Sequence, residues 1–273
     1  MANLRIVPQN WFDEAVSLTV TSEASTTMEI ENAQITPRGA FWRSTSTAAQ
    51  TIQGNWNNVV RKCNVFAVFR HNWRGGTVRL QLYSDTAWTT QVYDSTALTV
   101  SSTPAGSYDW GNATGVDPLL ADAPYVLFFT EATTAKSFRI TTGGTPADAY
   151  WQASRIWLGR YFEVTTNMDI GMGLTWVDDA EQSRSRGGSL RTAAGGKWRR
   201  LMLDFKFMSE AERQTWVDLE GVCGRDRDVV VSALAATTGR KERDHTLNAM
   251  FASLDPALYG ISVHQKRVVL EEV

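Results

Sequence analysis

The groups able to move protons in this 273-residue chain are few and scattered. His71, His245 and His264 are its three histidines, which leaves few options for a histidine-rich metal site or a Ser-His-Asp triad. A surface or interface role is the plainer reading of each. Cys63 and Cys223 are far apart and expected in different domains. They suggest reduced, half-buried thiols rather than a disulfide scaffold or a thiolate zinc site. Glycoside hydrolysis needs two carboxyl groups held across a cleft. Asp178 and Asp179 are adjacent, so on a strand they point to opposite faces. Asp109 with Asp117, or Asp85 with Asp94, lie in long aromatic loops, where only the folding of the loop could pair them. Acidic loop residues could equally hold a structural calcium, though without EF-hand spacing. No GxGxxG, P-loop, HExxH or GxSxG arrangement occurs. The chain is therefore read as a non-enzyme with no catalytic residue, no metal and no cofactor.

Aromatic side chains are the more informative chemistry. Of eleven tryptophans, Trp42, Trp56, Trp73, Trp88, Trp110 and Trp151 stand next to polar residues or glycine where strands meet loops. Rings in such places plug the ends of a sandwich, stack on sugar faces, or anchor a protein interface. The cations of the 184–200 stretch, Arg184, Arg186, Arg191, Lys197, Arg199 and Arg200, follow Asp178, Asp179 and Glu181. With a net charge of -2, no global attraction to a phosphate backbone exists. The stretch reads as a solvated face or an intersubunit salt-bridge surface rather than a nucleic-acid site.

The elements that must position these groups are mainly strands. A chain of this length can bury two cores, and its many Thr, Trp, Tyr, Phe and Val residues favour pleated structure. The run Val65–Phe69 predicts a buried strand. The alternation of Val78, Leu80 and Leu82 with Arg79, Gln81 and Tyr83 predicts a half-solvated one. Phe138 with Ile140, and Ile156 with Leu158, extend the set. A first domain is expected over 1–164 and a second over 165–273. In the second, Leu201, Leu203, Phe205 and Phe207 alternate inward, and Gly187, Gly188, Gly195 and Gly196 mark tight reversals before them. Ser209 and Glu212 form a capping box for a helix over about 209–221, with Ala211, Trp216, Leu219 and Val222 as its buried stripe. A terminal strand spans 261–270, with Ile261 and Val263 opposite His264 and Lys266. The amino terminus lacks a basic segment followed by an apolar run, and no stretch is long enough to cross a bilayer, so a soluble protein made in the cytoplasm is expected.

The segments GAFWRSTSTAAQTIQGNW, VFAVFRHNW, VRLQLYSD, KSFRITT and YWQASRIWLGRYFEV resemble the galactose-binding-like (discoidin-type) sandwich found at the front of certain bacteriophage tail proteins. Met172 through Arg191 and LMLDFKFMSEAERQTWVDL resemble the β-domain of distal tail subunits. The resemblance implies a mainly β fold: a jelly-roll-like sandwich followed by a distal-tail-like β-barrel or sandwich with one helix. It implies a structural subunit of the virion, in the tail tip or baseplate of a long-tailed phage. Such a subunit forms a ring with copies of itself and joins the tail tube to hub or fibres. The strands 200–207 and 261–270 would offer edges between copies. The six cations Arg184 to Arg200 would lie at that interface. The alternative is a carbohydrate-binding module recognising host cell-surface polysaccharide, whose carried-over site falls on Trp42, Arg43, Trp73 and Trp110.

Overall fold

The computed structural model describes residues 3–37, 39–100, 124–146, 148–168, 172–235, 242, 244–256, 258–259 and 264–273. Two compact units form: Met1–Glu163 with Ser232–Thr246, and Val164–Val231 with Leu247–Val273. Among the described residues no helix is long and apolar enough to cross a membrane.

The first unit is a pair of antiparallel sheets. One runs in the order β2 (Val16–Val20), β4 (Thr51–Asn55), β10 (Ser137–Gly144), β6 (Gly76–Tyr83), β7 (Gln91–Asp94), with β8 (Leu98–Thr99) also on β6. The other runs β3 (Trp42–Arg43), β11 (Gln152–Gly159), β5 (Arg61–His71), β9 (Tyr125–Ala135). Period-two alternation turns Val78, Leu80 and Leu82 inward, with Leu80 opposite Ile140 and Leu82 opposite Phe138. From the other sheet Phe66, Val68, Ile156 and Leu158 join the same core. Gly54 faces Phe138 across the strands, and a Cβ there would sit 2.7 Å from the ring. The sheet therefore needs glycine at that point. β1 (Arg5–Val7) pairs with β12 (Phe162–Glu163), and Arg5 Nε reaches the Glu163 carboxylate at 2.9 Å.

Behind β11 a short 3-10 helix, Ile30–Gln34, packs against the sheet. Arg155 fastens this side: it is 2% exposed, and its two terminal nitrogens donate to the Asp13 carboxylate at 2.5 and 2.6 Å. Burial of a cation is tolerable only with such a partner.

The second unit is one open sheet, β17 (Val229–Ser232), β18 (Thr246–Ser253), β20 (His264–Glu272), β16 (Lys197–Met208), β13 (Gly173–Asp178), with β19 (Leu258–Tyr259) on β20. A separate hairpin, β14 (Glu181–Arg184) and β15 (Leu190–Ala193), completes its strands. The expected barrel is corrected: in a closed barrel every strand has two neighbours, whereas β13 pairs with β16 alone among the described residues. The expectation that strands 200–207 and 261–270 offer edges to neighbouring copies is corrected where the strands are paired on both sides. β13 takes one edge of β16 over Lys197–Met202 and β20 the other over Arg200–Met208, while β20 has β16 on one side and β18 and β19 on the other.

Inside β16, Leu201, Leu203 and Phe205 face inward, but Phe207 is 64% exposed and Met208 takes the buried place. A register irregularity between Phe205 and Met208 adds a residue and reverses the alternation there. In the terminal strand His264 and Lys266 point inward, at 8% and 3% exposure. Lys266 Nζ meets Glu220 Oε1 at 2.8 Å and the Asp255 carbonyl at 2.6 Å. Ile261 and Val263 lie outside the described residues.

One α-helix, α1 (Glu210–Cys223), follows β16. Ser209 Oγ accepts from Glu212 N–H and the Glu212 carboxylate accepts from Ser209 N–H, completing the capping box. Trp216 and Leu219 are buried as expected, Trp216 5.1 Å from the Phe205 ring, but Ala211 and Val222 face solvent. Glu212 and Cys223 occupy the buried stripe in their place. Burial opposes the charge on Glu212, yet N–H groups of Thr166, Ser209 and Thr165 and the Ser209 hydroxyl outweigh it and hold its carboxyl below the usual range. A depressed folded pKa gives stability that is present above the ordinary glutamate range and lost as pH falls through the folded value. Replacing Ser209 by alanine is expected to cost about 1 kcal/mol in urea unfolding at neutral pH. Glu212→Gln should flatten the acid limb of the stability profile, and an unchanged limb would refute the role given to this carboxylate.

Candidate functional site

Among the described residues, the proton-moving groups do not converge on a site. His71 is buried, its Nδ1 accepts from Trp73 N–H at 3.1 Å, and burial with help from Arg74 pushes its pKa down to about 3. It is a neutral core residue. His264 Nε2 lies 3.0 Å from Glu210 at the start of α1, and the His245 carbonyl accepts from Ala233 N–H. Both cysteines are fully buried rather than half-buried. Burial raises the Cys63 thiol to about 12, against a lowering by Arg61, and the Cys223 thiol to about 11.

The carboxylates are tied up locally. Asp85 accepts from the N–H groups of Ala87, Thr89 and Thr90 and from the Thr89 hydroxyl, and Thr89 N–H is the main reason its acidity is strengthened. Asp94 holds Arg79, whose Nε donates to it at 2.8 Å. Asp178 accepts from Ala180 N–H and pairs with Lys197 at 3.1 Å. Asp109 and Asp117 lie outside the described residues. Among the described residues no group of three or more His, Cys, Asp or Glu is placed to hold a metal.

The six cations of the 184–200 stretch separate into two sets. Lys197, Arg199 and Arg200 pair with Asp178, Glu272 and Glu271 inside their own unit, and Arg199 is 7% exposed. Arg184, Arg186 and Arg191 are exposed on the hairpin, where Arg184 Nη1 donates to the Gly188 carbonyl at 3.2 Å.

A built surface exists at one end of the first unit, where β3, the start of β11 and the end of β5 meet. Trp42, Trp73 and Trp151 are all 0% exposed and form its base. Trp73 and Trp151 stack edge to face, with centroids 6.4 Å apart. Trp42 donates its indole N–H to the Ser22 carbonyl and Trp151 to those of Thr47 and Ala48. These rings offer no face to a ligand, and Trp110 lies outside the described residues. Of the carried-over set, only Arg43 is seen to reach the surface.

Strand parity explains the difference. Trp42 opposes Ala153 and turns inward, while Arg43 opposes Gln152 and turns outward. The Arg43 guanidinium carbon lies 4.1 Å from the centre of the Tyr150 ring and 5.1 Å from that of Phe41. Its Nε and Nη2 donate to Gln152 Oε1 at 3.1 and 2.8 Å. Asn72 ties in the neighbouring turn, donating to Asp148 at 3.1 Å and to the Tyr150 carbonyl at 2.6 Å. Its side-chain oxygen accepts from Gln152 N–H at 2.7 Å. Phe41, Arg43, Tyr150 and Gln152 are half-buried and Asp148 is exposed. Sequence reading missed Tyr150, Gln152 and Asp148 as site residues. Their one signal is adjacency to Trp151, which anchors the turn through Ser44.

No family profile and no curated protein matches the chain. Solved structures do align with part of it. A chitosan-binding module from a chitosanase/glucanase of Paenibacillus sp. IK-5 shares 18% identity over 56% of this chain and 99% of its own, with a TM-score of 0.39. The family 32 carbohydrate-binding module of NanJ from C. perfringens, in complex with galactose, shares 12% over 58% and 99%, also at 0.39. A GH29 fucosidase of Ruminococcus gnavus in complex with fucose shares 15%, over 57% of this chain and 27% of the fucosidase, at 0.39. None of these three is a tail or baseplate protein, where the tail-tip expectation called for one. The ring of self-copies and the tube, hub and fibre partners are corrected with it: in the strands meant to join copies, Arg200–Met202 and Val269–Leu270 already have strand partners on both sides within the chain. The chain is similar in part to modules that bind chitosan or galactose.

Proposed function

We propose that this protein is a non-catalytic carbohydrate-binding protein and that the Phe41–Arg43–Tyr150 surface is where it holds saccharide. One observation carries the reading: a guanidinium fixed over two half-exposed aromatic rings by an amide oxygen, above a base of three buried indoles. Ring area that the guanidinium leaves uncovered receives the C–H face of a sugar ring, while a guanidinium, an amide and a carboxylate exchange hydrogen bonds with its hydroxyls. Arg43, Gln152 and Asp148 supply those three groups on one turn and one strand pair. Little ordering is left for binding to complete, because Asn72 and the Ser44–Trp151 bonds already fix the turn.

The test is affinity electrophoresis through gels containing soluble polysaccharides, neutral and acidic. At least one polymer should retard the wild-type chain, and Arg43→Ala and Tyr150→Ala should each weaken that retardation about tenfold, the loss of one good polar or stacking contact. Equal retardation of wild type and both variants would move the site elsewhere. No retardation by any polymer would end the saccharide reading.

A further inference from the structure

Arg43 and Arg139 each hold a glutamine oxygen rather than a carboxylate, but the third nitrogen of Arg139 donates to the Tyr83 hydroxyl. Arg5, Arg79, Arg155, Arg199, Arg200 and Arg267 each hold a carboxylate. Arg43 holds a neutral amide oxygen and two ring faces, so nothing among the described residues cancels its charge. The nearest acid in the facing turn, Asp148, is bonded to Asn72 instead.

The way Gln152 is bound matters as much. A guanidinium presents two edges to a planar anion: the side formed by Nε with one terminal nitrogen, and the end formed by both terminal nitrogens. Gln152 Oε1 takes the Nε and Nη2 side. The Nη1–Nη2 end keeps two parallel N–H bonds, and Nη1 has no partner among the described residues. Gln152 takes a defined edge and the Tyr150 and Phe41 rings crowd the guanidinium, so the open end has a set direction. A single hydroxyl oxygen matches one N–H; a carboxylate matches both.

Resting on the saccharide reading above, we propose that the ligand is an acidic saccharide, a uronate-bearing glycan whose carboxylate is taken end-on by Arg43 while Gln152 acts as the positioning residue. Binding is then charge-assisted and directional.

The experiment uses the full chain and three acidic polymers, polygalacturonate, alginate and hyaluronan, each beside its methyl ester, with neutral galactan and chitin as further arms. The ester keeps the sugar backbone and removes the charge. The expected result is binding to at least one acidic polymer that weakens about tenfold or more on esterification and by a like factor in Arg43→Gln. Arg43→Lys should recover only part of the affinity, because an ammonium lacks the fork. Gln152→Ala should weaken binding severalfold with the charge intact, an effect that non-specific attraction does not produce. Neutral polymers or esters binding as well as the acids would overturn this proposal and leave the saccharide reading standing. Acid-polymer binding unchanged in Arg43→Gln but abolished by Arg184→Gln with Arg186→Gln and Arg191→Gln would overturn it as simple attraction to the hairpin. Binding to no polymer would overturn both.

Discussion

Replacing Trp151 with alanine is expected to cost about 3–5 kcal/mol, the usual range for emptying a buried indole site, and to loosen the Arg43 surface in any protein that still folds. The ring is 0% exposed and stacks on Trp73, and its N–H serves two carbonyls, those of Thr47 and Ala48. Close packing leaves it no room to move: a Cβ on Gly76 would sit 2.5 Å from the indole. The backbone on either side supplies Tyr150 and Gln152, so a cavity beneath them frees two of the three Arg43 partners. Trp151→Phe keeps most of the packing and should cost less. Urea unfolding gives the stability, and polysaccharide retardation below the transition gives the site. A folded alanine variant with full retardation would show that the base does not position the surface.

The pair Arg155–Asp13 should respond asymmetrically to its two deletions. Asp13→Ala leaves a cation that is 2% exposed without its carboxylate, and an uncompensated buried charge costs about 3–5 kcal/mol. Arg155→Met fills a similar volume and leaves behind an acid whose side chain is 33% exposed. Water can serve that acid, so the loss should be clearly smaller. Unfolding midpoints of the two variants make the comparison. If Arg155→Met were the more damaging, the guanidinium would be valued for its contacts to the Ala33 carbonyl and the Trp157 ring rather than for the cost of stranding it.

Local pattern was legible wherever burial is one-sided. The inward sets Val78, Leu80, Leu82 and Leu201, Leu203, Phe205, and the Ser209–Glu212 cap, follow from periods and capping chemistry visible in the residues, whereas Gln81 and Tyr83, expected on a solvated face, are buried. The failure at Phe207 has a local cause that no pattern announces, a bulge one residue before the strand ends. Pairing was illegible because it is non-local: nothing within 200–207 reveals that segment 264–272 will take one edge along its length and segment 173–178 the other at Arg200–Met202. The site shows the same division. Trp42 and Trp73 drew notice as large rings beside loops, but pleat parity sent Trp42 inward and gave the surface to Arg43. Tyr150 went unnoticed beside Trp151, since only the fold brings the 150 turn over the 41–43 strand.

Every residue of strands β14 and β15 is exposed, and among the described residues the two pair only with each other, as a hairpin. Its turn is fixed by short bonds between Ser185 and Gly188 and between Ser185 and Ser189. A ribbon wetted on both faces gives its parent sheet no contact to lose, so its tip is the place where this chain tolerates inserted sequence: a graft between Gly187 and Gly188 would ride on the ribbon and leave the neighbouring strands folded as before.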